Sequence, residues 1–423
     1  MSQIVRDRGL IIAWVACLIL AGGPGLARAA DLRRIVSFVD GTPLGVQQQV
    51  VVLSGSRIVH TLTLITALAI ELPAVGTAQA LAILAGSPVV QGIDDDPVAV
   101  ANGAICIDEA PPPIPERYPW GLQQVGMFVV REQWPNVRGA EVTVAVVDTG
   151  IQVSHPELGP RITSGYNALD GGGAYTDNNG HGTHIAGIIA AAMNSLGVIG
   201  AASQARLAAV KVLDYTGAGH ASDLIDGLQW VDGQGIRLAN LSLGFVTDSP
   251  TLRQATQRLA NHGVILVAAA GNRCPITPKQ DDGGGDECLG GTSTTCPVPR
   301  SGVLYPAAYP WVIAVGATDT STHVTAYSLA GPEMDLVAPG GDPASLPILS
   351  THVGSGYGWG SGTSQAAAHV TGALALALQL RPQLTVAQVQ NLLQDTAIEL
   401  PGYSPMQQGA GLLDVPGLLQ ALP

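Results

Sequence analysis

VTVAVVDTGI, residues 142–151, is the stretch that decides the fold class. Its β-branched and apolar residues run without alternation, which is typical of a strand buried on both faces of a parallel sheet. The run ends in Asp148, followed by the turn-forming pair Thr149 and Gly150. Ligands and catalytic groups collect at the carboxyl ends of strands in open α/β sheets. The stretch therefore predicts an α/β protein with Asp148 in its functional site, although a simple strand-end turn former has the same local pattern.

Two further segments supply side chains that complement an aspartate. NGHGTHIAGIIAAA (179–192) places His181 at the start of a helix of small residues, and SGTSQAAAHVTGALALAL (361–378) places Ser364 at the start of an apolar helix. A helix N-terminus favours the negative charge that develops when a serine attacks a carbonyl. Ser364 alone is better explained as a helix cap. However, Asp148, His181 and Ser364 follow one of the three chain orders of the serine hydrolase triad.

The combined pattern resembles the subtilisin-like serine proteases, the subtilase family. VVDTGI, HGTHIAG and GTSQAAAHV resemble the segments around the family's aspartate, histidine and serine, and the matching segments extend over roughly residues 118–400. The resemblance implies a three-layer α/β fold with a mostly parallel central sheet. It also implies hydrolysis of protein or peptide substrates through an acyl-enzyme. Ser364 would be the nucleophile, His181 the general base and Asp148 the residue that orients the imidazole.

The same resemblance implies which groups bind the substrate. Asn272 and the backbone N–H of Ser364 would donate to the developing oxyanion. The edge that pairs with an extended substrate would be formed by Ser242, Leu243 and Gly244. The facing wall of the pocket for the residue before the cut would be formed by Ala269, Ala270 and Gly271. Two positions depart from the family pattern, since Gln365 stands where Met is usual and Ala368 where Pro is usual. Neither position carries a catalytic group, so the catalytic residues are unaffected. The departures concern the fine geometry of the site, and with it the rate and the leaving-group preference.

A metal site is considered at two places. His184 follows His181 by three residues, but the glutamate of HExxH and a third ligand are missing, which favours a structural role for His184. We expect no cofactor in the chemistry. The family implies a structural calcium, which would be held by Glu157, Asn194, Leu196 and Val198, although Glu replaces the usual Asp and the loop looks short. The acidic run at residues 281–287 is a second calcium candidate, but a solvated loop explains it better.

Residues 1–29 have the organisation of a secretory signal peptide. Arg6 and Arg8 precede an apolar run of about 12 residues, and an A-x-A cleavage site ends at Ala29. The run is short for a membrane span, so an uncleaved anchor is the weaker alternative, and no other stretch reaches about 18 strongly apolar residues. We therefore expect a secreted protein, extracellular or periplasmic, with no stable membrane anchor.

Residues 30–102 predict a separate unit with the β-α-β-β-α-β order of ferredoxin-like α+β domains. This unit resembles the inhibitor-type prodomain of subtilisins, which assists folding and plugs the cleft; a permanent accessory domain is the alternative. IDDDPVAVAN aligns with the end of that prodomain, which implies self-cleavage after about Asn102 and a mature N-terminus between Gly103 and Ile105. Residues 103–119, which include PPPIP, would then be a linker and the mature N-terminal segment, and residues 120–423 the catalytic domain.

Four cysteines follow the signal segment, namely Cys106, Cys274, Cys288 and Cys296. An even number in an exported chain predicts two disulfides, in any of three connectivities, and we expect one to join Cys106 to the long loop after Asn272. YPAAYP resembles a family segment with a cis proline, so we also expect a cis bond between Tyr305 and Pro306.

Charge and composition narrow the function classes. The net charge of −13 disfavours nucleic acid or an anionic membrane as a partner. We expect a monomer that meets protein or peptide substrates and is inhibited by its own prodomain. One alternative is a processing protease of narrow specificity, because the loop after Asn272 lies by the pocket. A non-catalytic binding scaffold is disfavoured because every reacting residue is present, and the G-x-S-x-G motif of α/β-hydrolases is absent.

Overall fold

The computed structural model describes residues 32–108, 116–273 and 302–423, and for residues 104–108 it gives the path of the backbone. Arg33–Pro423 forms one unit by its contacts, and Met1–Leu32 is a separate unit that lies outside the described residues apart from its last residue. The expectations for the signal peptide, for PPPIP and for the acidic and cysteine-rich loop after Asn272 therefore concern residues outside the described part.

The N-terminal domain is a four-stranded antiparallel sheet covered by two helices. In chain order its elements are β1 (Arg33–Phe38), α1 (Leu44–Leu53), β2 (Arg57–Leu62), β3 (Ala67–Glu71), α2 (Thr77–Ala85) and β4 (Val90–Asp95). The strands lie in the order β2-β3-β1-β4, with every neighbour antiparallel. This is the predicted β-α-β-β-α-β order.

The rest of the chain is built on a sheet of seven strands. These are β7 (Thr143–Asp148), β8 (Ile162–Asn167), β9 (Arg206–Lys211), β11 (Leu238–Leu241), β13 (Ile265–Ala269), β14 (Val312–Thr318) and β15 (Leu336–Pro339). They lie in the order β15-β14-β13-β11-β7-β9-β8, and all neighbouring pairs are parallel. The predicted parallel central sheet is therefore confirmed.

Helices on both faces of this sheet make three layers. The helices are α3 (Trp120–Gln124), α4 (Met127–Gln133), α5 (His181–Ala190), α6 (Ala221–Gly233), α7 (Pro250–Asn261), α8 (Thr363–Leu380), α9 (Val386–Thr396), α10 (Pro405–Gln408) and α11 (Val415–Gln420). Val144 and Val146 of β7 are buried in the core with α5 and α8, whereas Ala145 and Val147 are buried in the core with α6 and α7. Burial on both faces explains why the strand is apolar at every position.

Two small sheets complete the fold. In one, β5 (Val98–Ala101) lies between β10 (Ala218–His220) and β12 (Leu243–Gly244); in the other, β17 (Gly356–Ser361) lies between β16 (Ile348–His352) and β6 (Ala104–Asp108). The residues predicted as linker and mature N-terminal segment include the strand β6, and Arg117 in the same segment bridges to Val198. Both pairings join distant parts of the chain, which local sequence does not reveal.

The N-terminal domain shares an apolar core with the larger domain. Ile35, Leu62 and Ile65 are buried in the same cluster as residues of α6 and α7. Polar contacts surround this cluster. Arg33 Nη2 donates to Asp223 Oδ1 on α6 at 3.2 Å, and His60 Nε2 lies 2.7 Å from the same oxygen. The N-terminal domain therefore covers α6 and places the segment that follows it, β5, against the larger domain.

Candidate active site

Asp148 and His181 form a buried pair at the carboxyl end of the central sheet. Asp148 is the last residue of β7, and His181 is the first residue of α5. His181 Nδ1 lies 2.8 Å from Asp148 Oδ1 and 2.9 Å from Oδ2, and the two residues are 3% and 0% exposed. Burial by itself lowers the pKa of His181, but the adjacent Asp148 carboxylate and, less strongly, Asp177 raise this pKa above its ordinary value. The pair is therefore arranged to stabilise an imidazolium.

Ser364 lies in the first turn of α8, at the same edge of the sheet. Its Oγ donates to the carbonyl oxygen of Ser242 at 3.0 Å. His181 Nε2 is buried and has no hydrogen-bond partner among the described residues. The serine and the histidine are thus not joined by a hydrogen bond in this structure. Catalytic hydrogen bonds of this kind often form only once a substrate is engaged, so the geometry is compatible with a triad.

Asn272 and the backbone N–H of Ser364 are connected through Thr363. The backbone N–H of Ser364 donates to the carbonyl oxygen of Asn102 at 3.2 Å. Asn272 Oδ1 accepts from Thr363 N and Thr363 Oγ1, each at 3.1 Å. These two bonds fix the orientation of the amide and reserve its NH₂ group as a donor. Thr363 Oγ1 also accepts from Gly271 N at 3.1 Å, which ties this donor pair to the neighbouring strand.

An extended segment of the chain itself lies in the groove beside these residues. Strand β5 pairs antiparallel with β12 (Leu243↔Ala101, Gly244↔Val100) and with β10 on its other side (Gly219↔Ala99). Asn102 N donates to Ser242 O at 3.0 Å, and Ala101 N donates to Gly217 O at 2.9 Å. The predicted edge at residues 242–244 is therefore present. The facing edge at β10 was not predicted, and its sequence signal was the glycine-rich turn YTGAG after a buried strand.

The side chain of Asn102 occupies a closed pocket. It is 1% exposed, and neither of its polar atoms has a hydrogen-bond partner among the described residues. A Cβ at Gly244 would lie 2.6 Å from Asn102 Nδ2, and a Cβ at Gly271 (φ +107°) would lie 2.5 Å from Leu304 Cγ. Ala269 and Ala270 precede Gly271 and are fully buried. Leu304 lies close to both Gly244 and Gly271, a position that the sequence did not indicate.

Asp177 is a second carboxylate beside the pair that the sequence prediction missed. It accepts hydrogen bonds from Thr149 Oγ1 at 2.9 Å, Gly180 N at 2.9 Å and Thr183 Oγ1 at 2.6 Å. Thr149 follows Asp148, and Gly180 precedes His181. Asp177 therefore links the end of β7 to the start of α5. The Asp-Asn-Asn-Gly run before the helix was the available signal, because such residues cap helices and turns.

His184 is a structural residue of α5. Its Nε2 lies 3.0 Å from Gly358 O and 3.2 Å from Ile348 O, so it bridges α5 to β17 and β16. Complete burial, together with His352 and His181 nearby, lowers the pKa of His184 to about 3. The described residues contain no group of three or more His, Cys, Asp or Glu side chains that could hold a metal ion. The structural interpretation of HxxH is the one that this geometry supports.

The residues expected to hold calcium lie together, but the side-chain oxygens of Glu157 and Asn194 already have partners. Glu157 accepts from Val198 N at 3.3 Å and from the Tyr357 hydroxyl. Asn194 Oδ1 accepts from Leu196 N at 3.0 Å. Burial raises the pKa of Glu157 to about 7, which disfavours the charged form that a hard cation prefers. These residues, as arranged, do not fit a calcium cage, and we derive no role for the metal.

The cis proline and the disulfides were also predicted from the sequence. The bond between Tyr305 and Pro306 is cis, as expected. Of the predicted disulfide cysteines, Cys274, Cys288 and Cys296 lie outside the described residues, and Cys106 is placed by its backbone alone. Both disulfides therefore stay predictions.

Comparison with known proteins gives the same answer as the geometry. Residues 139–413 match the Subtilase family. The chain is 39% identical to subtilisin E of Bacillus subtilis (strain 168) over 71% of each protein, and 39% identical to subtilisin of Bacillus pumilus over 71% of this chain and 98% of that protein. Among solved structures it is similar to fervidolysin of Fervidobacterium pennivorans, a keratinolytic enzyme related to subtilisin, with a TM-score of 0.74 and 25% identity. That match covers 94% of this chain and 63% of fervidolysin. The chain therefore belongs to the subtilase family and is a subtilisin-like serine endopeptidase.

Proposed function

We propose that this chain is the precursor of a secreted endopeptidase that cuts itself between Asn102 and Gly103. The observation that carries the proposal is the position of Asn102. Its carbonyl oxygen accepts from Ser364 N, its own N–H donates to Ser242 O, and the preceding strand β5 is paired on both sides. A substrate residue just before the cut makes contacts of this kind when an extended peptide adds to the edges of a groove.

The proposed chemistry is acyl transfer by Asp148, His181 and Ser364. The Ser364 hydroxyl turns from Ser242 O towards His181 Nε2, gives up its proton there and attacks the carbonyl carbon. The oxyanion receives hydrogen bonds from Ser364 N and the Asn272 NH₂ group. The imidazolium, stabilised by Asp148, then protonates the leaving amine, and water releases the acyl group by the reverse steps. This sequence requires no cofactor.

We assign residues 1–29 to a signal peptide and residues 30–102 to an inhibitory prodomain. The contacts of Arg33 and His60 with α6 support the inhibitory role, as does the chain of backbone bonds through the groove, since both would persist after the cut. The described residues include no helix long and apolar enough to cross a membrane. We expect a monomer that acts on extended segments of proteins or peptides.

Labelling with a fluorophosphonate tests the nucleophile. We expect the mature enzyme to lose its peptidase activity as one label is incorporated, and the labelled peptide to contain Ser364. The Ser364→Ala protein should incorporate no label and hydrolyse peptides at a rate below about one-thousandth of the parent. A label on another serine, or near-parental activity of Ser364→Ala, would contradict the assignment.

A further inference from the structure

The residues that follow Asn102 lie on a second sheet edge. Strand β6 begins at Ala104 and pairs antiparallel with β17, with Ala104 opposite Ser361, Cys106 opposite Trp359 and Asp108 opposite Tyr357. The other edge of β17 is taken by β16, so β6 is the outer strand of this sheet. Strand β17 leads directly into the turn that carries Ser364. The chain after the proposed cut is therefore held along β17, just as the chain before it is held between β10 and β12.

An extended pairing edge of this kind is not selective for side chains. The contacts of the ladder are backbone hydrogen bonds, and without β6 the outer edge of β17 would present unpaired N–H and C=O groups. An extended peptide can satisfy them by adding as a strand. Any protein segment that is extended after its cleavable bond can therefore make the same contacts that β6 makes.

The segment β6 is tethered independently of the cut. Glu116 Oε1 accepts from Asn194 N at 2.7 Å and Ser195 N at 2.8 Å, and Arg117 N donates to Gly197 O at 2.7 Å. Only residues 109–115 separate Asp108 from this anchor. A short tether holds its end at an effective concentration on the order of mM, which is high enough to compete with most substrates.

From these contacts we propose that Ala104–Asp108 stays paired on the outer edge of β17 after the cut and competes, as a tethered strand, with the leaving-side residues of substrates. The inference rests on the proposed cut between Asn102 and Gly103. It predicts that substrates with residues on the leaving side must displace β6. Substrates whose leaving group is a small chromogenic amine do not reach β17 and are unaffected.

Kinetics with two substrates, one with and one without leaving-side residues, test whether β6 competes. The mature parent and the Ile105→Pro/Asp108→Pro variant are compared on a tetrapeptide p-nitroanilide and on a quenched peptide that continues the same tetrapeptide by five residues. Residues 105 and 108 of β6 direct their N–H groups to opposite sides of the strand, so one of the two prolines removes a donor to β17 and the variant loses the competitor. We expect its KM for the extended peptide to fall by about fivefold or more at a tether concentration on the order of mM. Its kinetics on the p-nitroanilide should not change. Ala110→Pro, beyond β6 and beside Pro111, is the matched control and should alter neither.

Hydrogen exchange gives a readout that does not depend on activity. In the mature parent, those amides of residues 356–361 that face β6 should be protected, and the double proline variant should lose that protection, while the amides that face β16 stay protected in both proteins. If the amides that face β6 exchange freely in an active parent enzyme, or if both substrates respond equally to the proline variant, the inference is wrong while the proposed function stands. If the protein has no peptidase activity, the proposed function is wrong, and free exchange of the same amides in the uncut chain would overturn the inference separately.

Discussion

The Asp148 carboxylate is held in place by a hydrogen bond from a neighbouring residue as well as by its contact with His181. Its Oδ1 accepts from Thr149 N at 2.7 Å, and Thr149 is in turn bonded through its hydroxyl to Asp177. Both carboxylate oxygens then face His181 Nδ1. The negative charge of Asp148 is what keeps the pKa of His181 raised despite complete burial.

This charge has a consequence for the pH profile. Catalysis needs neutral His181, so kcat/KM should rise with pH as His181 loses its proton, and a raised pKa places this limb at higher pH than an ordinary histidine would. For Asp148→Asn we expect kcat to fall by about 10⁴-fold and the limb to move to lower pH, because the stabilising charge is gone. Asp395→Asn, an exposed change on α9, serves as the control. A limb that does not move in Asp148→Asn would contradict the coupling.

Single residues were the most predictable part of the site. Asp148, His181, Ser364 and Asn272 follow short motifs at element boundaries, and the structure brings them to one edge of the sheet. Leu304 could not be predicted, because its role depends on packing between Gly244 and Gly271 from distant segments. The burial of the Asn102 side chain without a hydrogen-bond partner could not be predicted either, since its environment is made by residues far along the chain.

At the scale of elements, the long and strongly patterned segments were predictable and the short pairings were not. The strand β7 and the helices α5 and α8 carry their pattern within their own sequence. Strand β10 has three residues and β12 has two, and each owes its existence to β5, which is more than 100 residues earlier in the chain. Local propensity contains no information on such pairing. The strand β6, which lies within the residues predicted as linker and mature N-terminal segment, could not be predicted for the same reason.

We predict that the loop after α5 does not need calcium for its stability. Because Tyr357 and Val198 satisfy the Glu157 carboxylate, EDTA should leave the Tm of the Ser364→Ala precursor unchanged. Tyr357→Phe should destabilise it by about 1–3 kcal/mol, since a buried acceptor loses its donor, and lower the Tm by several degrees. Tyr215→Phe, at a tyrosine that is 69% exposed, should have no effect. A Tm that falls in EDTA and recovers with calcium would show that the loop needs the metal after all.

At the scale of the whole molecule, the chain follows one continuous path from the N-terminal domain, through the groove, to the sheet edge at β17. The domain packs on α6, β5 continues from it between β10 and β12, and β6 leaves along β17. The composition and motifs predicted two domains and the cut between them. They could not show that the chain runs through the active site on both sides of the cut, because that path is made only by long-range pairing.

The central claim is that Ser364 cuts the bond between Asn102 and Gly103, and the most direct test is the covalent state of the chain. The full-length parent and Ser364→Ala are produced in parallel, purified without other proteases, and examined by N-terminal sequencing and intact mass. We predict a parent enzyme that begins at Gly103, with a fragment that ends at Asn102, and a Ser364→Ala protein that stays uncut at this bond. A parent chain that begins beyond Cys106, or a Ser364→Ala chain cut between Asn102 and Gly103 as completely as the parent, would contradict the account.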